Sequence, residues 1–186
     1  MNTTDLTDAE LTVKVAKKDG EAFEELTKRY HRKVFAFAWR LSLNASDAED
    51  LTQETFLKIW RFASKFDPKA AFSTWLYAIV YNGFLDMRRR KKPFGQSDFP
   101  LEEVADEHSL EQEGERQSLS GAVAAALTKL PARQREALTL CYYEELTAKQ
   151  AAQVMNLSQT AVEMLLFRAR QTLKSALAPL KKELSS

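Results

Sequence analysis

The stretch Leu130–Leu173 reads LPARQREALTLCYYEELTAKQAAQVMNLSQTAVEMLLFRARQTL, and it predicts two short helices joined by a tight turn. Thr147 precedes Gln150 by three residues, which is the capping-box spacing that starts a helix. A turn at Asn156 follows, and Ser158 is suited to cap the second helix. Such a pair is the helix-turn-helix arrangement that enters the DNA major groove.

The second helix of this pair has one apolar and one polar face. Apolar residues at helical spacing predict the buried face, namely Val162, Leu165, Leu166, Ala169 and Leu173. The residues that lie largely off this face are Gln159, Thr160, Glu163, Phe167, Arg168 and Arg170. The spacing also fits an ordinary packed helix pair, so a DNA-reading helix and a purely structural one both stay open.

Composition places the chain in the all-α class. Glycine and proline number five each among 186 residues, and no run of strand-turn-strand signals occurs. No apolar run approaches the roughly 20 residues of a membrane helix, and the polar N-terminus lacks a signal-peptide pattern. We therefore expect small helical domains in a cytoplasmic protein that does not insert into membranes.

Neither the cysteine nor the histidines suggest a metal site. Cys141 is the single cysteine and lies in an apolar stretch, so it is expected to be a buried structural thiol. His31 and His108 stand alone in polar surroundings. The sequence also has no phosphate-cradling glycine loop and no nucleophile paired with a base. We expect a protein without metal, cofactor or enzymatic activity.

Charge is segregated along the chain, although the formal net charge is only +1. Residues 1–92 contain 17 basic and 13 acidic side chains, residues 93–117 contain 1 and 8, and residues 118–186 contain 9 and 5. The acidic segment is typical of a flexible linker. We predict domains at 1–92 and 118–186, joined by a linker at 93–117 that is either a solvated tether or an occupant of a partner's basic channel.

Four helices are predicted in the N-terminal domain. The start signals of the first three are Thr7 with Glu10, Asp19, and Ser46 with Glu49. Gly20 is expected to end the first helix in a left-handed conformation. Asp67–Pro68 ends the third helix, and the fourth runs from about Ser73 to Lys92. The expected buried line of the fourth helix is Leu76, Ile79, Val80, Phe84 and Met87.

Two surface features exceed what helix packing requires. An acidic patch at the start of the third helix contains Asp47, Glu49, Asp50, Gln53 and Glu54. Acidic residues there suit the helix dipole, but this density also suits docking of a basic partner surface. The fourth helix ends in the basic run Arg88–Lys92, which favours phosphate contact. The aromatic side chains at or near its start can stack unpaired bases, namely Phe72, Trp75, Tyr77 and Tyr81. For Phe72 and Trp75, a place in the core is the alternative.

The order of these pieces resembles the extracytoplasmic-function (ECF) group of the sigma-70 family of bacterial RNA polymerase initiation factors. The resemblance is carried by DGEAFEELTKRY (19–30), DAEDLTQETFLKIW (47–60), FSTWLYAIVYNGFLDMRRRKK (72–92) and the stretch from Leu130. It covers nearly the whole chain. It implies a protein that binds core RNA polymerase, at the beta-prime clamp and the beta subunit, and directs it to promoter DNA.

The resemblance also implies roles for particular residues. Asp50, Gln53 and Glu54 would contact the beta-prime clamp. The minus-ten element and its flipped base would be held by Lys69, Phe72, Ser73, Thr74, Trp75, Asn82, Arg88, Arg89 and Arg90. In the second domain, the residues at or near the minus-thirty-five bases would be Gln159, Thr160, Glu163, Met164 and Phe167. The expected phosphate contacts there are Lys149, Arg168 and Arg170.

Three departures from the family's usual pattern bear on these roles. The loop before Ser73 contains no glycine. Glu163 stands where a basic residue is common, and a glutamate accepts from cytosine N4 but repels phosphate. Leu165 and Leu166 replace more polar residues, so the second helix either packs deeper into its own core or presents an apolar face to a regulator.

The sequence also bears on regulation and on alternative functions. Residues from Leu180 onward read as a short polar tail, so regulation is expected from a separate anti-sigma factor acting on a monomer. A free-standing helix-turn-helix regulator is the main alternative, and it predicts a dimer with tight duplex binding. A protein that binds polymerase without opening DNA is a further alternative.

Overall fold

The computed structural model describes residues 3–91 and 126–183, with the backbone alone at 179–183. All regular structure within these ranges is helical, which confirms the predicted class. The chain divides into two compact units. None of the described helices is long and apolar enough to cross a membrane. The predicted linker at 93–117, together with His108 and Lys92, lies outside the described residues.

Four α-helices build the N-terminal unit. They are α1 (Asp8–Ala16), α2 (Gly20–Ser42), α3 (Ala45–Phe62) and α4 (Phe72–Lys91). A 3-10 turn precedes α1, and another follows α3 at Ala63–Lys65. The helices pack around apolar side chains that are almost inaccessible to solvent, including Leu11, Leu26, Phe37, Leu51, Ile59 and Leu76.

The capping box at the start of α1 is confirmed. The Thr7 hydroxyl accepts from the N–H of Glu10 at 3.3 Å, and the Glu10 carboxylate accepts from the N–H of Thr7 at 2.8 Å. Both bonds join groups three residues apart, so they form as soon as the first turn forms. The Thr7 hydroxyl also donates to the Glu10 carboxylate, at 2.7 Å. This bond and, to a smaller extent, the bond from the Thr7 N–H lower the pKa of Glu10.

The predicted end of α1 is wrong. Asp19 does cap α2, because its carboxylate accepts from the N–H of Ala22 at 3.0 Å. Gly20 is consequently the first residue of α2 and not the last of α1. The left-handed position belongs to Lys18, with φ 65°. A lysine can occupy it at modest cost, and its Nζ donates to the carbonyl of Trp60 at 2.8 Å.

The predicted start of α3 is wrong by two residues. Asn44 is the N-cap, and its side-chain oxygen accepts from the N–H of Asp47 at 3.0 Å. Ser46 therefore lies inside the first turn and forms no capping box with Glu49. Asparagine and serine are comparable caps, so the sequence alone did not decide between Asn44 and Ser46.

Helix α4 buries Leu76, Val80 and Phe84 as predicted, but the rest of its buried line differs from the prediction. Tyr77 and Tyr81 are 3% and 1% exposed, so neither ring can stack on a base at the surface. Ile79 and Met87, which were expected in the core, are only half-buried. Tyr77 instead packs edge-on against Phe37 of α2, with ring centroids 5.1 Å apart. The face of α4 that meets α2 and α3 is thus rotated from the expected one.

Among the described residues from 126 onward, three α-helices have defined bounds. They are α5 (Ala132–Leu138), α6 (Ala148–Met155) and α7 (Gln159–Glu183), and a π-helical turn at Thr139–Tyr143 follows α5. Because α7 runs to Glu183, residues 180–183 of the predicted polar tail are helical. Cys141 is half-buried and not fully buried as expected.

The helix-turn-helix is present as predicted. The side-chain oxygen of Gln150 accepts from the N–H of Thr147 at 2.9 Å, and the Thr147 hydroxyl accepts from the N–H of Gln150 at 3.2 Å. Asn156 turns the chain with φ 53°, a conformation that asparagine tolerates well. The Ser158 hydroxyl then caps α7 by accepting from the N–H of Ala161 at 3.1 Å.

Candidate protein and nucleic-acid interfaces

The outer face of α3 carries the acidic patch. Asp50 and Gln53 are exposed. Glu54 pairs with Lys58 one turn later, with a nitrogen–oxygen distance of 3.0 Å. Asp47 is less accessible and is bound by Lys91 at the end of α4. The residues available to a partner are therefore Glu49, Asp50, Gln53 and, in part, Glu54.

Leu57 belongs to the same face, although it was not predicted from the sequence to contact a partner. It follows Gln53 by four residues and is 55% exposed, so a leucine side chain stands in the middle of a polar surface. An apolar centre with a polar rim is the usual arrangement of a protein–protein interface. We call Asp50, Gln53, Glu54 and Leu57 the docking face. Leu57 could have been identified from the sequence, because it is apolar but falls outside the buried line of α3.

A turn between α3 and α4 presents the predicted DNA-binding loop. The Asp67 carboxylate accepts from the N–H of Lys69 at 3.0 Å, and the Asp67 carbonyl accepts from the N–H of Ala70 at 2.9 Å. These two bonds stabilise the turn without a glycine. They leave Lys69 exposed at its tip.

Aromatic side chains form a cluster behind this loop. Phe72 is 6% exposed, and its ring lies 5.1 Å from Tyr30 and 5.9 Å from Phe66, both edge-on. Trp75 is half-buried and packs against Phe66 at 5.2 Å and Phe72 at 5.9 Å. Phe72 therefore packs in the core and supports Trp75, which retains an accessible portion for a ligand.

One line of side chains runs along the exposed side of α4. Trp75, Asn82 and Arg89 are spaced by seven residues, so they lie on one helical face over about 21 Å. Asn82 and Arg89 are exposed. Beside the first turn, the Thr74 hydroxyl is buried, and no described residue offers it a hydrogen-bond partner. Ser73 is half-buried next to it. We call Trp75, Asn82 and Arg89 the α4 stripe.

The basic residues that end α4 are not equivalent. Arg88 packs over the ring of Phe84 with its guanidinium carbon 5.5 Å from the ring centroid. Arg89 lies 3.3 Å from Asp86, in an exposed pair that contributes little stability. Lys91 is bound to Asp47 at 2.6 Å. Among the described residues Arg90 makes no ion pair, so it is the cation most available to a phosphate.

Helix α7 presents its polar face to solvent. The predicted DNA-facing residues are all exposed: Gln159, Thr160, Glu163, Met164, Phe167, Arg168 and Arg170. Val162, Leu166 and Ala169 are buried on the opposite face, and Leu165 is half-buried. Leu166 is thus buried and does not contribute to an exposed apolar face. Lys149, on α6, is also exposed.

Two contacts organise the exposed face of α7. The Gln159 amide donates to the Glu163 carboxylate at 2.9 Å, which links the two side chains one turn apart. Arg170 donates to the hydroxyl of Tyr142 at 2.8 Å through Nε and lies over its ring. Tyr142 is 53% exposed and was missed from sequence, since it precedes Arg170 by 28 residues.

Family comparisons decide between the alternatives left open by the sequence. The family model Sigma-70 region 2 matches residues 26–94, and the family model Sigma-70, region 4 matches residues 120–173. The chain belongs to the sigma-70 family. This sigma factor is similar to the ECF RNA polymerase sigma factor SigE of Mycolicibacterium smegmatis, at 34% identity over 84% of this chain and 62% of that protein. It is 32% identical to the RNA polymerase sigma-H factor of Pseudomonas aeruginosa over 95% of this chain and 96% of that factor.

Solved structures give the same assignment. The sigma factor matches CnrH, solved in complex with the cytosolic domain of CnrY, with a TM-score of 0.69 and 27% identity over 92% of this chain and 97% of that chain. It matches RpoE from Bartonella quintana, solved with the anti-sigma factor NepR, with a TM-score of 0.66 and 29% identity over 84% and 96%. The chain is therefore an ECF sigma factor, which binds core RNA polymerase and directs promoter-specific initiation, and is neither a free-standing regulator nor an enzyme.

Proposed function

We propose that this sigma factor binds the beta-prime clamp of core polymerase through the docking face, opens the minus-ten element along α4, and reads the minus-thirty-five duplex with α7. The observation that carries the proposal is the α4 stripe. It joins an aromatic ring, an amide and a guanidinium on one exposed line, directly after a loop with an exposed lysine.

Docking rests on complementary chemistry at the α3 face. Leu57 supplies apolar area that is removed from water on binding, about 25 cal/mol for each Å² buried. Asp50 and Gln53 around it supply hydrogen-bond acceptors for a basic partner. Such a face binds through its apolar centre, while its charges orient the partner and speed association.

Opening of DNA rests on groups that can replace base stacking. Extruding a base costs a few kcal/mol, and stacking on an aromatic ring returns about 1–3 kcal/mol per base. Trp75 offers such a ring, the exposed Asn82 amide offers hydrogen bonds, and Lys69 offers charge to the backbone. Arg88, Arg89 and Arg90 extend this surface with positive charge.

Readout of the minus-thirty-five element rests on an acidic and apolar surface. Glu163 accepts hydrogen bonds but cannot donate them, which favours the N4 amino group of cytosine. Met164 and Phe167 are 49% and 56% exposed and suit contact with thymine methyl groups. Arg168 and Arg170 flank them and would bind phosphates, together with Lys149 on α6.

Regulation by an anti-sigma factor is part of the proposal. CnrH and RpoE were solved with the cytosolic domain of CnrY and with the anti-sigma factor NepR, respectively. We infer that a comparable regulator binds this chain. We further infer a cytoplasmic location, where polymerase acts, and a monomeric free state.

Reconstituted transcription tests the proposal. Purified core polymerase would be combined with the wild-type chain, with Gln53→Ala/Leu57→Ala, or with Trp75→Ala, on a pool of promoter fragments. The docking variant should lose binding to core polymerase, and Trp75→Ala should bind polymerase normally but open DNA poorly. Glu24→Ala, an exposed acidic residue on α2, is the matched control and should behave as wild type.

Two outcomes would contradict these assignments. Unchanged polymerase affinity in Gln53→Ala/Leu57→Ala would show that the docking face does not bind polymerase. Normal permanganate reactivity of the minus-ten thymines with Trp75→Ala would show that the α4 stripe does not take part in DNA opening. The family assignment of the chain would stand.

A further inference from the structure

The Tyr30 side chain joins Asp8, the first residue of α1, to the aromatic cluster behind the proposed DNA-binding loop. Its hydroxyl donates to the Asp8 carboxylate at 2.5 Å. The edge of its ring meets Phe72, with centroids 5.1 Å apart and planes at 62°. The Lys33 ammonium lies over the ring, 5.3 Å from its centroid. Three different contacts therefore set the position of one half-buried ring.

Arg29 anchors the acceptor of this hydrogen bond. Its guanidinium donates to the other Asp8 oxygen at 2.9 Å and to the carbonyls of Leu6 at 2.9 Å and Thr4 at 2.8 Å. Glu25, one turn earlier, accepts from the same guanidinium at 2.7 Å. Asp8 is thus bound by two neighbouring residues of α2. Burial and the Asp8 bond raise the pKa of Tyr30, so the phenol stays protonated and remains the donor.

Phe72 transmits the position of Tyr30 to Trp75. Phe72 contacts Tyr30 on one side and Trp75 on the other, and Phe66 contacts both Phe72 and Trp75. Buried aromatic rings at these distances cannot shift independently, because the interior is close-packed. A displacement of Tyr30 would be passed through one intervening ring to the half-buried tryptophan of the α4 stripe.

We propose that Tyr30 is a positioning residue for minus-ten recognition: its bond to Asp8 holds the ring that supports Phe72, and through Phe72 it orients Trp75. The inference rests on the proposed function of Trp75. It adds that the segment before α1 contributes to DNA opening without touching DNA, because Arg29 binds that segment and Asp8 together.

Fluorine NMR with 5-fluorotryptophan tests the structural part without DNA. The chain has three tryptophans, and Trp75→Phe assigns the resonance of interest. Tyr30→Phe keeps the ring against Phe72 and removes only the hydroxyl, so the Trp75 resonance should shift or broaden while the other two stay in place. Thr27→Val removes another hydroxyl of α2, which donates to the carbonyl of Phe23 at 2.8 Å, and should leave Trp75 unchanged.

Open-complex formation tests the functional part. Tyr30→Phe should lower the rate of opening by about three- to tenfold, the effect expected of one hydrogen bond, with unchanged affinity for core polymerase. Asp8→Asn should also lower the rate of opening, and Thr27→Val should not. A Trp75 resonance that is identical in Tyr30→Phe and wild type would overturn the inference.

The failure of this inference differs from the failure of the proposed function. Normal opening in Tyr30→Phe, when Trp75→Ala still opens DNA poorly, would overturn the positioning role alone. Normal opening in both variants would instead show that Trp75 is not needed, which contradicts the proposed function. A lower melting temperature with normal opening per folded molecule would assign Tyr30 a structural role only.

Discussion

The Lys91 ammonium lies 2.6 Å from both carboxylate oxygens of Asp47, so the last residue of α4 is tied to the first turn of α3. The contact spans 44 residues of sequence and joins the basic run to the acidic patch. It separates Lys91, which is engaged within the protein, from Arg90, which makes no ion pair among the described residues. The exposed location limits its contribution to stability to about 1 kcal/mol or less.

This division predicts different salt dependences for neighbouring residues. Arg90→Ala should reduce the magnitude of the logarithmic salt slope of promoter opening by about 0.7–0.9, the effect of one lost phosphate contact. Lys91→Ala should leave the slope unchanged, because Asp47 already neutralises that ammonium. Opening rates measured at several salt concentrations with core polymerase provide the slopes. Equal slopes for wild type and Arg90→Ala would show that Arg90 is only solvated.

Glu163 should determine one position of the minus-thirty-five element. A carboxylate favours cytosine, whereas glutamine can bind adenine through N6 and N7. Glu163→Gln should therefore change the selected base at one position, by about 1–3 kcal/mol of discrimination. Selection from randomised minus-thirty-five duplexes with holoenzyme measures this preference. Gln171→Ala, exposed further along α7, is the control, and an identical selected sequence for wild type and Glu163→Gln would contradict the assignment.

Gly83 permits the close approach of α4 to α3. A Cβ at this position would lie 2.8 Å from Cδ1 of Leu51, which is 2% exposed. Gly83→Ala should gain about 1 kcal/mol of helix propensity but lose about 1–3 kcal/mol through overpacking, so a small net destabilisation is expected. Leu51→Val provides space for the added methyl group. In that background, Gly83→Ala should be neutral or stabilising. Thermal unfolding of wild type, Gly83→Ala, Leu51→Val and the double variant measures this coupling. Additive effects would mean that the two side chains do not compete for space.

Glu145 occupies a backbone conformation that favours glycine. Its φ is 55°, and a left-handed residue with a Cβ costs about 1–2 kcal/mol. Glycine avoids this cost but loses about 0.5–1 kcal/mol in chain entropy. Glu145→Gly should therefore raise the melting temperature by a few degrees, whereas Glu145→Ala keeps the strain and should not. An equal change in melting temperature in both variants would show that the loss of the carboxylate is the cause, and not the backbone conformation.

The thiol of Cys141 should react slowly below the pH at which it ionises. Burial raises the pKa of Cys141 above its usual value, and the thiolate is the reactive form. The folded chain therefore contains less thiolate at pH 8 than an unfolded chain does. Alkylation by iodoacetamide should be at least about threefold slower in the folded protein, and it should accelerate as the pH rises through the raised pKa. Equal rates for folded and urea-unfolded protein at pH 8 would contradict this expectation.

Local interactions were predicted well from the sequence. The capping boxes of Thr7 with Glu10 and of Thr147 with Gln150 form between groups three residues apart. Helical spacing likewise identified the helix-turn-helix and the exposed face of α7, whereas Leu165 and Leu173 of its predicted buried face are only half-buried. Where two local signals competed, as at Asn44 and Ser46, the sequence did not decide, because both side chains can accept from the same N-terminal amides.

Tertiary packing decided the rest. Periodicity marks an apolar face but not the angle at which a neighbouring helix meets it, so Tyr77 and Tyr81 were expected near the surface and Ile79 in the core. The exposed Leu57 and the contacts of Lys91 with Asp47 and of Tyr30 with Phe72 likewise depend on helix placement. The sequence by itself determined the helices, most of their caps and the family. Only the folded chain decided which aromatic and charged side chains remain available to polymerase and DNA, because burial and long-range pairing depend on how the helices pack.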